Sequence, residues 1–164
     1  MGNYPYNTNN MTITKNTFIG EYHYSLDSKG RVNIPAKFRQ SLSKENKNTF
    51  IATRGQDPCI WVYPLAEWKK IELELRNLSS VSGIHRTFVR QIARSATPST
   101  CDKQGRIMIS PSLLSYADLN KETLILGMIN KIEIWNPNIL EKVDKNNISD
   151  DPNEFNSLAE KIVI

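Results

Sequence analysis

Hydrophobic and polar residues alternate in short runs near the start of the chain, with the two-residue period of half-buried β-strands. Residues 22–26 read Tyr-His-Tyr-Ser-Leu, and after a short turn Val32 and Ile34 alternate with polar neighbours. The pattern predicts a β-hairpin. Because successive side chains of a strand point to opposite faces, Arg31 is predicted to point away from the core that Val32 and Ile34 enter.

A defined order of elements follows this hairpin. Pro35 ends the strand and begins a short helix, predicted over residues 36–42. Two further strands are predicted over residues 49–53 and 60–63, separated by a loop that contains Gly and Pro. The same order returns in a shorter form, with equivalents at Ile107, Ile109, Leu113, Leu114, 123–126 and 132–135. The sequence therefore predicts one unit built twice.

Between the two units, apolar residues recur every three or four positions, which is typical of amphipathic helices. The first helix is predicted to begin at Pro64, with Glu72 placed to pair with Arg76. The second helix has an apolar side and an arginine stripe, formed by Ile84, Phe88 and Ile92 and by Arg86, Arg90 and Arg94 respectively. This stripe suits a phosphate, an acidic neighbour or plain solvation.

One short motif occurs twice, seventy-five residues apart. Its copies are Asp27-Ser28-Lys29-Gly30-Arg31 and Asp102-Lys103-Gln104-Gly105-Arg106. In each copy the Asp can accept backbone hydrogen bonds and the Gly can adopt a positive φ, which predicts a tight turn just before an Arg. We interpret Asp27, Gly30, Asp102 and Gly105 as turn-forming residues, and the two carboxylates also as groups that orient the neighbouring arginine.

The composition is that of a globular protein, and its charge is unevenly distributed. Of 164 residues, 39% are hydrophobic and 23% are charged, with a net charge of +4. Residues 29–54 contain seven Lys or Arg against one acidic residue, and residues 84–106 contain five against one, whereas residues 144–154 are acidic. Basic charge is therefore concentrated around both motifs, which favours a nucleic-acid partner.

Several function classes are not indicated by the sequence. No run of eighteen apolar residues predicts a membrane helix and no signal-peptide profile is present, so we expect a cytoplasmic protein. Cys59 and Cys101 lack the spacing of a zinc site or a disulfide framework. Walker A, G-x-S-x-G and G-x-G-x-x-G motifs are absent, so we expect no cofactor, metal, small-molecule substrate or catalytic residue.

Further blocks in a fixed order resemble the MraZ family. The resemblance rests on the two motifs and on Gly20-Glu21-Tyr22, Ile34-Pro35-Ala36-Lys37-Phe38-Arg39, Thr53-Arg54-Gly55, Tyr63-Pro64-Leu65-Ala66-Glu67-Trp68 and Ile132-Glu133-Ile134-Trp135. It covers residues 18–143. A single D-x-x-G-R is a weak signal, whereas two copies in register with these blocks are a strong one.

The resemblance implies an α+β, mainly β fold. Two SpoVT-AbrB-like modules would form a pseudo-two-fold, double-split β-barrel from swapped hairpins, with two helices between the repeats. The implied divisions are a disordered tail over 1–17, module 1 over 20–64, linker helices over 65–95, module 2 over 96–139 and a helical, acidic tail over 140–164. The resemblance also implies a homo-oligomeric, nucleoid-associated ring that binds direct repeats in double-stranded promoter DNA and represses the division and cell-wall gene cluster.

The candidate DNA-binding residues are Arg31, Lys29, Lys37, Arg39, Arg106 and Lys103. The arginine after each glycine can offer its guanidinium to a guanine edge or to a phosphate, and the other cations suit phosphate. Leu114 stands where the family commonly has an arginine. We therefore expect the first copy, in which Arg39 accompanies Arg31, to bind DNA more strongly than the second.

Two other functions remain open. Asp27 and Asp102 could hold a metal ion in a nuclease, although no third acidic or His ligand recurs in the copies. AbrB-like modules also serve as structural oligomers or as antitoxin-like binders of other proteins.

Overall fold

The computed structural model describes residues 14–162, and within this range it contains eight strands and six α-helices. The strands are β1 Phe18–Ser25, β2 Arg31–Asn33, β3 Thr49–Arg54, β4 Ile60–Pro64, β5 Thr97–Thr100, β6 Arg106–Met108, β7 Glu122–Ile129 and β8 Ile132–Trp135. The helices are α1 Ala36–Ser41, α2 Leu65–Arg76, α3 Gly83–Ser95, α4 Pro111–Tyr116, α5 Pro137–Asp150 and α6 Pro152–Ile162. The order predicted from the sequence is confirmed.

The main sheet has six strands in the order β1-β7-β8-β4-β3-β5. β1 pairs antiparallel with β7 along its whole length, from Phe18 opposite Ile129 to Ser25 opposite Glu122. β5 pairs in the same way with β3. The first strand of each copy therefore pairs with the third strand of the other copy, and the strand order is symmetric about the β8–β4 pair.

A second, two-stranded sheet is formed by β2 and β6, which we call the ribbon. Here Arg31 lies opposite Met108, Val32 opposite Ile107, and Asn33 opposite Arg106. The predicted hairpin is therefore correct in its turn but wrong in its pairing, because β1 and β2 diverge into different sheets. Each finds its partner in the other copy, whose strands have the same apolar alternation.

The fold class is α+β with a mainly antiparallel sheet, as expected. In residues 14–162 the hydrogen-bonded strands form an open six-stranded sheet and the ribbon, without a closed barrel.

The core lies between the ribbon, the short helices and the main sheet. Equivalent residues of the two copies enter it in pairs, and all are almost fully buried: Val32 and Ile107, Ile34 and Ile109, Phe38 and Leu113. Full burial of an aliphatic or Phe side chain contributes roughly 1.5–3 kcal/mol. The short elements next to the two motifs are thus fixed by the packing of their own apolar residues.

Asn16 attaches the start of the described chain to the fold. It is buried, and its side-chain oxygen accepts hydrogen bonds from Asn46 Nδ2 at 2.8 Å and from the Ser43 amide at 3.1 Å. The disordered tail predicted over residues 1–17 falls mainly on residues 1–13, outside the described range.

The last two helices, α5 and α6, differ in how well they are packed. α5 packs through Ile139, Leu140 and Val143 on a small cluster that contains Trp135, whereas α6 contacts α5 and leaves its apolar side exposed. No helix of residues 14–162 is both long enough and apolar enough to cross a membrane.

Candidate nucleic-acid interface

The first motif forms a tight turn organised by one carboxylate. Asp27 Oδ1 accepts hydrogen bonds from the backbone amides of Lys29 and Arg31, both at 2.9 Å. Asp27 Oδ2 accepts a hydrogen bond from Arg31 Nε at 2.6 Å. Gly30, with a φ of +74°, closes the turn by donating its amide to the Asp27 carbonyl.

The second motif repeats this geometry almost atom for atom. Asp102 Oδ1 accepts from the amides of Gln104 and Arg106 at 2.9 and 3.0 Å, and Asp102 Oδ2 accepts from Arg106 Nε at 2.8 Å. Gly105 has a φ of +78°. Each arginine is therefore held at Nε by its own aspartate.

The ribbon brings the two turns together. Ile34 donates its amide to the Gly105 carbonyl, and Ile109 donates its amide to the Gly30 carbonyl, both at 2.9 Å. Arg106 Nη1 also lies 3.5 Å from Asp27 Oδ2. Sites that are seventy-five residues apart in the sequence thus form one continuous surface with two arginines and two aspartates.

The environment of each aspartate favours its ionised form. The hydrogen bond from the Arg31 backbone lowers the pKa of Asp27 most, assisted by the Arg31 side chain and the Lys29 amide. The Arg106 backbone and side chain lower the pKa of Asp102 in the same way. Both carboxylates therefore stay charged at neutral pH and act as counter-ions for Arg31 and Arg106.

The short helix of each copy covers the turn of the other copy. An ideal Cβ at Gly105 would lie 2.5 Å from Arg39 Cζ, and Arg39 Nε donates to the Ile34 carbonyl at 3.0 Å. At Gly30 the corresponding neighbour is Leu114 Cδ1, at 3.3 Å. Arg39, which follows the first motif in sequence, therefore adds its charge beside the second motif's turn.

The remaining candidate cations lie at the margins of this surface. Lys29 and Lys103 stand in the two turns, Lys37 lies in α1, and all three are exposed, whereas Arg31, Arg39 and Arg106 are half-buried. The half-buried guanidiniums have defined partners, whereas the exposed ammonium groups have none among residues 14–162.

The ribbon also presents two residues that the sequence analysis did not single out. Val32 and Ile107 are buried, so the residues on either side of them in each strand face outward. Asn33 and the exposed Met108 therefore share the outward face with the two arginines. Strand alternation predicts that Asn33 faces the same side as Arg31, and Met108 the same side as Arg106. It does not predict the pairing of β2 with β6 that places these residues side by side.

The fold and this surface define a duplicated protein, in which two copies of one β-rich unit exchange strands and bring their basic turns together. Comparison with known families is consistent with that organisation. The family model described as "MraZ protein, putative antitoxin-like" matches twice, over residues 17–91 and 92–157.

Curated relatives agree with the family match. The chain is 50% identical to a protein of Halothermothrix orenii over 118 residues, which are 72% of this chain and 80% of that protein. It is 44% identical to a protein of Natranaerobius thermophilus and 41% identical to one of Pediococcus pentosaceus, each over 146 residues, 89% of this chain and 96% of each relative. All three are named "Transcriptional regulator MraZ". The chain belongs to the MraZ family, as its motifs indicate.

Proposed function

We propose that this protein is a sequence-specific DNA-binding transcriptional regulator, and that it represses the bacterial division and cell-wall gene cluster, often its own operon. The relatives' name supports regulation of transcription. The observation that carries the proposal is the outward face of the ribbon, where two guanidiniums are each fixed by an aspartate.

The ribbon suits the major groove of B-DNA, which admits a two-stranded β-ribbon. Asp27 and Asp102 occupy the Nε groups of Arg31 and Arg106, which leaves the terminal amino groups of Arg31 to donate to guanine O6 and N7. Arg106 Nη1 also lies 3.5 Å from Asp27, so Arg106 would exchange that longer contact for the base. Each bidentate contact of this kind contributes about 1–3 kcal/mol of discrimination. The aspartates act as positioning residues, because they orient the arginines without touching DNA.

The residues beside the two arginines are also suited to contacts with bases and phosphates. Asn33 has the side-chain amide that can pair with adenine, and Met108 is an apolar group suited to a thymine methyl. Lys29, Lys37 and Lys103 are exposed point charges for phosphates, which fix register and orientation without reading sequence.

The position of Arg39 supports a proposal that differs from the ranking expected from the sequence. Arg39 was a reason to favour the first copy, but its guanidinium lies against Gly105 in the second. The second copy thus receives the cation that its own helix lacks. We therefore propose that Arg31 and Arg106 both contact DNA.

A single ribbon would bind DNA weakly, so we propose that several copies assemble into a ring and engage direct repeats together. Linked binding events gain effective concentration without new contacts, by a factor of about 10²–10⁴.

We further propose that the exchanged strands and the ribbon together correspond to the double-split barrel of AbrB-like proteins, and that the domain divisions follow the two modules. A DNA-bound ring would lie on the nucleoid in the cytoplasm.

The test is fluorescence anisotropy with a duplex taken from upstream of this gene. We expect Arg31→Ala and Arg106→Ala each to lose most of the binding, because each removes a positioned guanidinium. Arg76→Ala is the matched control, because Arg76 is an exposed arginine on α2 that pairs with Glu72 and lies outside the ribbon. Unchanged binding by both ribbon variants would overturn the proposal.

The nuclease alternative predicts a different outcome. Both oxygens of Asp27 and of Asp102 already accept hydrogen bonds from protein groups, which a metal ion would have to displace. Magnesium- or manganese-dependent plasmid cleavage that disappears in Asp27→Asn would establish the nuclease reading. A protein-binding, antitoxin-like role would appear as normal assembly with no affinity for DNA.

A further inference from the structure

An apolar groove lies between α2, α3 and the main sheet, and we call it the α2–α3 groove. It measures about 220 Å³ and is lined almost entirely by apolar and aromatic groups, including Trp61, Trp68, Leu75 and Phe88. Past Leu75 it continues into a second depression of about 350 Å³ bordered by Arg86 and Arg90. The groove itself is smaller than a typical small-molecule pocket of roughly 300–1,000 Å³, so it suits protruding side chains better than a ligand.

The helix α6 has a complementary surface. Phe155, Leu158 and Ile162 recur at helical spacing on one side and are 52%, 46% and 65% exposed. This spacing of anchors is the one by which an amphipathic helix fills an apolar groove. Such a row of large exposed apolar residues is a candidate interaction surface.

The charges of α3 and α6 are opposite, and within the described range the one carboxylate that lines the groove is Glu74 of α2. α3 carries Arg86, Arg90 and Arg94 and no acidic residue. Residues 150–162, which lead into and form α6, contain four acidic residues and one lysine. Among residues 14–162, Arg90 and Arg94 have no carboxylate within 4.0 Å, so the stripe lacks the acidic neighbour for which it is suited.

We infer that α6 of one copy docks into the α2–α3 groove of a second copy of this chain. Within residues 14–162 of one chain both surfaces are formed and neither is covered, so we assign another copy as the partner that matches each surface. The contact is head-to-tail, because the groove and the helix are different patches. Such a heterologous contact produces a ring when its rotation closes. The inference rests on the proposed assembly and supplies the contact that would build it.

The first experiment measures assembly by sedimentation velocity. Phe155→Asp should shift the protein to a lower mass, because a carboxylate would enter the apolar groove. Asn156→Asp adds the same charge about a quarter turn away on an exposed position and should keep the wild-type mass. Arg90→Glu should also lower the mass by repelling the acidic helix. Wild-type mass for both Phe155→Asp and Arg90→Glu would overturn the inference.

The second experiment establishes which copy supplies the helix. Phe88→Cys and Leu158→Cys chains, mixed and oxidised, should form a covalent dimer on a non-reducing gel, whereas Phe88→Cys mixed with Asn156→Cys should form far less. The native thiols give a low background, because burial raises the pKa of the Cys101 thiol to about 11 and also raises that of Cys59. A bridge formed only within a chain carrying both substitutions would overturn the inference, as would no bridge in either arrangement.

DNA binding separates this inference from the proposed function. Phe155→Asp leaves the ribbon intact, so it should bind a single repeat as well as wild type does and lose about 10²–10⁴ in affinity for a duplex with several repeats. If wild type binds no DNA while the assembly results hold, the proposed function fails and the docking inference stands.

Discussion

Replacing Gly105 with alanine should destabilise the protein more than the same change at Gly30, although the two glycines are equivalent in the motif. Both adopt the left-handed conformation, so alanine costs about 1–2 kcal/mol at either position. At Gly105 the new Cβ would also lie 2.5 Å from Arg39 Cζ and Nε, whereas at Gly30 its nearest neighbours, Ile109 O and Leu114 Cδ1, are 3.3 Å away.

The difference comes from Arg39, which must move to admit the methyl group. Moving it breaks the hydrogen bond from Arg39 Nε to the Ile34 carbonyl. A hydrogen bond to a charged group contributes about 1.5–3 kcal/mol, and the half-buried position of Arg39 favours the lower part of that range. We expect the free energy of unfolding to fall by about 1–2 kcal/mol for Gly30→Ala and by about 2.5–4 kcal/mol for Gly105→Ala.

Urea unfolding at one protein concentration measures these losses, since self-association would otherwise shift the midpoint. Adding Arg39→Ala to Gly105→Ala should cost less than Arg39→Ala costs alone, because the hydrogen bond is already broken. The same addition to Gly30→Ala should be additive. Equal losses at the two glycines, or additivity in both backgrounds, would refute the placement of Arg39 over the second turn.

Three further predictions follow from particular contacts. Gly127→Ala should cost about 1–3 kcal/mol in urea unfolding, because its Cβ would overlap the backbone of β1 in the exchanged pair; wild-type stability would argue against that pairing. Glu133→Gln should cost about 1–2 kcal/mol, because Glu133 accepts from two indoles, one of them the buried Trp135, and an amide has one acceptor oxygen; thermal unfolding with no loss would refute this. The pKa values of Asp27 and Asp102 lie below the ordinary 3.8, so their contribution to stability is complete above that pH and is lost as the pH falls through the lower folded values. In Asp27→Asn and Asp102→Asn the free energy of unfolding should therefore fall less steeply with decreasing pH than in the wild type. An unchanged dependence on acid pH would contradict the hydrogen bonding.

The sequence predicted the elements well because period and turn chemistry are local properties. Alternation at Val32 and Ile34 predicted which face of the strand is buried, and Asp27 and Gly30 predicted the turn. Alternation does not specify the partner strand. Since both copies carry the same apolar pattern, β1 could satisfy its hydrogen bonds equally well within its copy or across it.

The parts of the site that escaped prediction depend on that exchange. The position of Arg39 on α1 was predicted, but the turn it covers is decided by the crossing of the two copies. In the same way, Asn33 and Met108 lie beside the two arginines only because β2 pairs with β6, and strand alternation does not predict that pairing. Sequence analysis therefore identified the basic groups and could not assign each of them to a turn.

The measurement that tests the central claim most directly compares binding to the upstream duplex with binding to a shuffled duplex of the same composition, across a salt titration. The wild type should prefer the upstream duplex, and log K should fall linearly with log salt because phosphate contacts release counterions. Arg31→Lys should keep the salt slope while losing about ten- to hundredfold of the preference, because lysine keeps the charge without the bidentate fork. A flat salt response, or an Arg31→Lys variant with the full preference, would contradict the account.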